Sequence, residues 1–354
     1  MAKVLVKGNE ALAEAAIRSG CKLFFGYPIT PQTEVSAYMA KKLPKIGGCF
    51  LQAESEVSAI NMVYGAGGSG KRVMTSSSSP GISLKQEGIS YIAGADVPCV
   101  IVNIVRGGPG LGGIQPAQSD YFQAVKGGGH GDYHLIVLAP SSIQEMVDLT
   151  SLAFNLADEY RMPVMIMGDG MLGQMMEPVE FPEEDEGAVY AEKGWAANGT
   201  KMERKHNIIN SLYIEAKELE DTILERQKKY DVIVKNEPRC EEMNTEDADI
   251  ILVAYGTTAR IAKTAMMKAR EKGIKVGLIR PITLWPFPTE NFKKHADGKK
   301  KFLCVEMSMG QMVEDVKLAI DCKNSVDFFG RTGGIVPTPN EILNKIDEIS
   351  GGAF

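Results

Sequence analysis

Three glycine-rich stretches have residue types and spacings suited to holding phosphate. "GAGGSGKR" (65–72) fits G-x-x-x-x-G-K from Gly65 to Gly70 and Lys71, but Arg72 stands where a Ser or Thr would offer its hydroxyl to magnesium. "GGPGLGG" (107–113) contains G-x-G-x-x-G at Gly108, Gly110 and Gly113, the spacing that lets backbone approach a dinucleotide pyrophosphate. "GDGMLGQ" (168–174) sets Asp169 between two glycines, with Asn198 nearly thirty residues on. Metal ligation by sulfur or imidazole has no such support. Cys21, Cys49, Cys99, Cys240, Cys304 and Cys322 are scattered without a C-x-x-C unit, and His130, His134, His206 and His295 show no metal spacing. No iron–sulfur cluster and no metal site is expected on this chain.

Whether those loops can work depends on the elements that carry them. The first half alternates strand and helix patterns. "NEALAEAAIRSG", "ESEVSAINMVYGAGG", "GISLKQEGISYIAG" and "SIQEMVDLTSLAFNLADEY" have helical spacing, and "KLFFG", "RVMTSSS", "VPCVIVNIV", "LIVLAP" and "VMIMGDG" read as strands. Strands separated by helices of this length imply a parallel sheet covered on both faces. The acidic, proline-bearing "EPVEFPEEDEG" (177–187) breaks the pattern and is expected to open a linker. A charged helix is expected over 201–230, with Ile209, Leu212, Ala216, Leu219 and Ile223 as its apolar stripe. A smaller α/β unit follows, with strands at "ADIILVAYGTTA", "KVGLIRPITLWPFP" and "KKFLCVEMSMG". The expected divisions are 1–185, a linker over 186–245, and 246–354.

In this order of elements, "GAGGSGK" ends a helix and leads into a strand, the reverse of a phosphate loop. Its glycines are expected to form a helix cap and turn, with cations near the negative end of the helix dipole. "GGPGLGG" follows a strand, but "IQPAQSD" comes next where a dinucleotide fold needs an apolar helix. That leaves a loop at the carboxyl end of a parallel strand, the edge where open α/β sheets bind ligands. "GDGMLGQ" looks like the opening of the thiamine diphosphate fingerprint, yet the interval "MEPVEFPEEDEGAVYAEKG" cannot supply that motif's helix. This chain alone is not expected to hold a diphosphate.

The stretches that remain distinctive are "GYPITPQTE" (26–34), "LQAESEVSAINMVYGA", "TSSSSPGISLKQEGISY" and "VNIVRGGPGLG". Together with "ERKHNIINSLY", "AYGTTARIAKTA" and "RPITLWPFP", and in this order, they closely resemble the α subunit of the 2-oxoacid:ferredoxin oxidoreductases, the family that includes pyruvate:ferredoxin oxidoreductase. The resemblance covers nearly the whole chain. It implies an α/β fold in which a parallel-sheet, pyrimidine-binding domain of a thiamine enzyme precedes a smaller domain like the transketolase C-terminal domain. It implies thiamine diphosphate shared with a β subunit that carries the GDG…N motif and supplies Mg2+ and diphosphate binding. Iron–sulfur clusters would lie only on partners, among them gamma and ferredoxin-like delta subunits, with ferredoxin, CoA and a 2-oxoacid as reactants.

The family's roles pass to matching positions. Glu56, in "ESEVSAI", matches the catalytic glutamate that hydrogen-bonds N1′ of the aminopyrimidine, so that the 4′-nitrogen can take the proton from thiazolium C2. Burial would favour the protonated or proton-sharing carboxyl this requires. Glu54 is the rival for the role, and any Glu at a helix start can instead complement the dipole. Thr30 and Arg106 match the residues that hold the substrate's carboxylate and 2-oxo group, a task suited to the planar guanidinium fork. Tyr27 is expected to line the cofactor cleft beside Thr30. "TSSSSPGI" has two readings, hydroxyls and helix-start amides for the site, or a plain N-cap. The chain looks most like the 2-oxoisovalerate (3-methyl-2-oxobutanoate, branched-chain) type, with 2-oxoglutarate as the alternative. Two other classes stay open: a self-sufficient thiamine decarboxylase using GDG…Asn198, and a nucleotide-binding regulatory module using the Gly65 loop.

Composition bounds the partners. With 354 residues, 44% of them hydrophobic, the chain is long enough for two packed cores. A net charge of −6 and a pI near 5.5 argue against nucleic acid or an anionic membrane as partner. No run of eighteen apolar residues and no signal-peptide pattern is found, so the cytoplasm is the expected compartment.

Overall fold

In the computed structural model, which describes residues 3–182 and 193–351, the two longest apolar runs become neighbouring central strands of a sheet. Cys99–Val105 and Pro163–Asp169 are buried at every position, as parallel strands covered on both faces must be. In chain order the first half runs β1 (Val4–Lys7), α1 (Gly8–Arg18), β2 (Leu23–Gly26), α2 (Thr33–Lys42), β3 (Cys49–Gln52), α3 (Glu56–Gly68), β4 (Val73–Ser77) and α4 (Pro80–Gly94). It continues with β5 (Cys99–Val105), α5 (Tyr121–Val125), β6 (Ile136–Leu138), α6 (Ile143–Tyr160), β7 (Pro163–Asp169), α7 (Gly170–Gln174) and β8 (Met176–Val179). The second half runs α8 (Ala216–Asn236), β9 (Cys240–Met243), β10 (Ile250–Val253), α9 (Gly256–Glu271), β11 (Val276–Pro281) and β12 (Thr283–Trp285). It ends with α10 (Thr289–Lys293), β13 (Lys301–Glu306), α11 (Met312–Ala319), β14 (Val326–Gly330) and α12 (Pro339–Ser350).

The first sheet has the order β12-β6-β7-β5-β4-β2-β3 and is parallel except for its edge strand β12. The second has the order β14-β13-β10-β11-β9, with β9 antiparallel. One buried cluster, including Val105, Tyr121, Ile251 and Phe302, spans both.

Three expectations change. The helix expected over 201–230 is α8, and 205–214 carries no regular element. Asparagines compete with the helix for backbone groups there: Asn207 Nδ2 donates to the carbonyls of Gly194 and Ala196, and Asn210 bonds both the N–H and the carbonyl of Leu212. The expected stripe therefore does not form. Leu212 is exposed, Ile209 packs near Gly68, and the buried face of α8 is Arg226, Tyr230 and Ile233. Second, the start of "EPVEFPEEDEG" is not linker but β8, paired antiparallel with β1, because a two-stranded edge tolerates Pro178; residues 183–187 of it lie outside the described residues. Third, "KVGLIRPITLW" is two strands rather than one. The chain leaves the second sheet after Pro281 and joins the edge of the first at Thr283.

Candidate active site

The strands that precede the expected site residues end on one edge of the first sheet. β2 ends before Tyr27 and Thr30, β3 before Glu56, β4 at Ser77 and β5 before Arg106, and these four strands are successive neighbours. Parallel pairing brings their C-terminal loops together, the place where such sheets hold ligands.

Glu56 opens α3. The helix is already capped by Ser55, whose hydroxyl accepts the Ser58 N–H at 3.2 Å, so Glu56 is not needed there. Its side chain is buried, 6% exposed, and faces the start of α4. A Cβ added at Gly81 would come within 2.7 Å of Glu56 Oε1 and overlap Ser77 Oγ, so the glycine lets both side chains close against the start of α4. Glu54 is exposed, and a hydrogen bond from the Ser58 hydroxyl holds its carboxyl below the usual range. Two residues apart in sequence, one of the rivals is buried against Gly81 and the other faces water.

Ser77 and Ser78 at the end of β4 are fully buried, and their hydroxyls have no hydrogen-bond partner. Orphaned buried hydroxyls beside a carboxylate fit the edge of a polar heteroaromatic ring, which would supply the missing partners. Ser79 takes the N-cap position of α4 but does not cap it. Its hydroxyl accepts the Arg106 N–H at 3.0 Å and donates to the Arg106 carbonyl at 3.2 Å, while its own N–H donates to Asn103 Oδ1 at 3.1 Å. These bonds hold Ser79 at φ 26°, a region an L-residue rarely adopts. Asn103 in turn donates to Asp120 at 2.9 Å, and burial pushes the Asp120 carboxyl up.

Arg106 is 9% exposed. Its Nη1 donates to the Thr30 carbonyl at 2.9 Å and its Nη2 to the Leu111 carbonyl at 3.1 Å, and Nε is buried without a partner. The structure thus brings Arg106 and Thr30 together, but through the Thr30 main chain. Thr30 itself is exposed and lines a cleft of about 630 Å3 with Pro31, Gln115, Met171 and Gln174, which neither Glu56 nor Arg106 lines. Tyr27 is half-buried, and its carbonyl accepts from Gln32 at 3.4 Å. Gln32, which sequence reasoning missed, is fully buried and takes the Ser76 hydroxyl at 2.5 Å, tying the Tyr27 turn to β4. Nothing in "PITPQTE" marks it out.

Lys85 was also missed, although the sequence does carry a signal. Ile82, Lys85, Ile89 and Ile92 recur at spacings of three and four, which puts a lysine on the apolar face of α4. Lys85 is fully buried, and its Nζ donates to Thr75 Oγ1 at 2.7 Å and to the Ser76 carbonyl at 3.1 Å. Burial pulls its ammonium from the usual 10.5 down to about 7, against the attraction of Glu56. Between those values the unfolded chain binds a proton that the folded chain does not, so this group makes stability rise with pH through the window, by on the order of 1 kcal/mol per unit. Urea unfolding of the full chain at pH 7 and pH 9 is expected to show that rise, and Lys85→Met is expected to lack it.

The loop after β5 is pinned by the second sheet. Gly107 N–H donates to the Gln115 carbonyl, and Gly113 N–H to the Gly107 carbonyl. Gln118, 2% exposed, donates to the Tyr255 carbonyl at 2.9 Å and accepts from Thr258 Oγ1 and the Met307 N–H at 3.0 and 2.9 Å. The other glycine stretches are structural. Gly67 packs against Val97 and Gly70 turns at φ 84°, while Arg72 pairs with Asp158 at 2.9 Å and donates to the Ser19 carbonyl at 2.7 Å. The buried Asp169 carboxylate accepts the N–H groups of Met171 and Leu172 at 2.9 and 3.2 Å, capping α7, whereas Asn198 is exposed and bound by Arg204. Among the described residues no group of three or more His, Cys, Asp or Glu is placed to hold a metal ion, and no helix is long and apolar enough to cross a membrane.

A parallel sheet whose C-terminal edge presents a buried glutamate packed against a glycine at a helix start, followed by a second α/β layer, is a thiamine-enzyme pyrimidine-binding fold with a transketolase-like second domain. Residues 14–246 match the family described as pyruvate flavodoxin/ferredoxin oxidoreductase, thiamine diphosphate-binding, and 248–342 match pyruvate:ferredoxin oxidoreductase core domain II. The chain is 52% identical over 353 residues, 99% of both lengths, to ketoisovalerate oxidoreductase subunit VorB of Methanothermobacter marburgensis. It is 38% identical to 2-oxoglutarate synthase subunit KorA of Methanothermobacter thermautotrophicus, over 96% of this chain and 97% of that one. The 2-oxoglutarate:ferredoxin oxidoreductase from Magnetococcus marinus superposes with a TM-score of 0.86 at 28% identity, covering 98% of this chain, which spans 65% of that chain's length. A split-gene transketolase, at 14% identity and a TM-score of 0.59, shares the fold. The chain belongs to the 2-oxoacid:ferredoxin oxidoreductase family, as an oxidoreductase subunit with a thiamine diphosphate-binding domain.

Proposed function

We propose that the chain is the α subunit of a CoA-acylating 2-oxoisovalerate:ferredoxin oxidoreductase, in which 1–185 is the pyrimidine-binding domain, 186–245 the linker and 246–354 the transketolase-like domain. The observation that carries the substrate class is full-length identity of 52% to a ketoisovalerate oxidoreductase subunit, against 38% to a 2-oxoglutarate synthase subunit. When bound, thiamine diphosphate supplies the electron sink for decarboxylation. The chain's own residues prepare for it. Glu56 shares a proton with N1′ of the aminopyrimidine, the Ser77 and Ser78 hydroxyls beside Gly81 fix the ring edge, and Tyr27 lies against the cofactor on the turn that carries Thr30. Arg106, kept in place by Thr30 and Leu111, presents its remaining N–H groups toward the substrate carboxylate, with Thr30 at the rim.

The occupied state of Asp169 supports a second chain, a β subunit with its own GDG…N motif, as the holder of Mg2+ and diphosphate. Gamma and ferredoxin-like delta subunits would carry the iron–sulfur clusters and pass electrons to ferredoxin, in the cytoplasm. The test is CoA-dependent ferredoxin reduction by the assembled enzyme. A kcat/KM for 2-oxoisovalerate at least about tenfold above that for 2-oxoglutarate is expected, since a second carboxylate would need a cation of its own beyond Arg106. The reverse preference would install the 2-oxoglutarate alternative.

A further inference from the structure

Helix α4 carries a charge where its neighbours are apolar, and that charge lies behind the site. Lys85 sits one helical turn after Gly81, and its ammonium is anchored on Thr75 and Ser76, the two residues that precede Ser77 on β4. The ionisable groups that face it are Glu56 from α3 and Cys99 from β5; from β4 it meets the Thr75 hydroxyl and the Ser76 carbonyl. Burial pushes the Cys99 thiol up to about 12, so it stays neutral, which leaves Glu56 as the acidic neighbour of Lys85. A fully buried ammonium bonded only to a hydroxyl and a carbonyl is costly, and an apolar side chain would fill the position more cheaply.

We propose that Lys85 is a positioning residue for Glu56, a fixed cation behind the carboxylate that keeps Glu56 an anionic acceptor when a protonated ring nitrogen faces it. This rests on the role given to Glu56 above. The attraction acts inside the protein, where low polarisability strengthens it. With its ammonium brought down to about 7, Lys85 loses charge as pH rises through neutrality, so the hold on the ring weakens in the same direction.

The test is calorimetric titration of thiamine diphosphate with Mg2+ into the assembled apoenzyme from pH 6 to pH 9, for wild type, Lys85→Met, Glu56→Gln and the double variant. At pH 6, Lys85→Met is expected to raise Kd about tenfold, one pKa unit's worth of coupling, with the difference shrinking toward pH 9. In the Glu56→Gln background the same change should alter Kd by about twofold or less, because the coupling partner is gone. A Kd that Glu56→Gln raises but Lys85→Met does not would overturn the proposal alone. A Kd that Glu56→Gln leaves unchanged would overturn the reading beneath it. Additive losses in the double variant would mean a packing role and would also overturn the proposal. Should Lys85→Met fail to assemble, Lys85→Gln keeps a donor for Thr75 and Ser76 without the charge and is read the same way.

Discussion

Glu56→Gln is expected to leave the assembled enzyme intact, holding its cofactor more weakly and turning over about 10²- to 10⁴-fold more slowly, the range for loss of a positioned proton-transfer group. The amide keeps the shape of the carboxyl, and α3 keeps its cap on Ser55, so the melting temperature should stay near that of wild type. What is lost is the ability to give and take a proton at the buried position beside Gly81 and Ser77. Glu54→Gln, on the exposed side of the same turn, is the control and should keep wild-type turnover. CoA-dependent ferredoxin reduction checks both, and full activity in Glu56→Gln would remove the proposed role.

Arg106→Ala is expected to lower kcat/KM for the 2-oxoacid by about 10²-fold or more and to lower stability as well. Two charge-assisted hydrogen bonds to main-chain carbonyls vanish with the guanidinium, at about 1.5–3 kcal/mol each. Arg106→Lys should not restore activity, because a single ammonium cannot reach the Thr30 and Leu111 carbonyls and still offer an N–H to a carboxylate. Steady-state kinetics separates the effects: a KM within about twofold of wild type in a folded Arg106→Ala enzyme would show that the residue only braces the loop.

The central strands were legible because burial on both faces demands uninterrupted apolar runs, which β5 and β7 have. The wrong helix over 201–230 shows the limit of periodicity. Its spacing was acceptable, but Asn207 and Asn210 found backbone partners that a helix would have denied them, one of them on the distant 194–196 segment. The split of "LIRPITLW" between two sheets was invisible for a similar reason, since both halves have strand pattern and only packing decides which edge each joins.

By itself the sequence determined the alternation of strand and helix, the order of glycine loops that rules against a phosphate loop, and the family. It preferred Glu56 to Glu54 only by the register of the downstream "YGA", because helix-start chemistry suits either one. Only the tertiary structure set their surroundings apart, by packing α3 against α4 so that one carboxyl is enclosed with Ser77, Gly81 and the buried Lys85 while the other faces water. It likewise turned Arg106 and Thr30, far apart in the chain, into neighbours beyond the ends of β5 and β2, the two strands that flank β4. Local spacing fixes what each segment prefers. Which side chains end up out of water, and beside which charges, is set by contacts between segments distant in sequence.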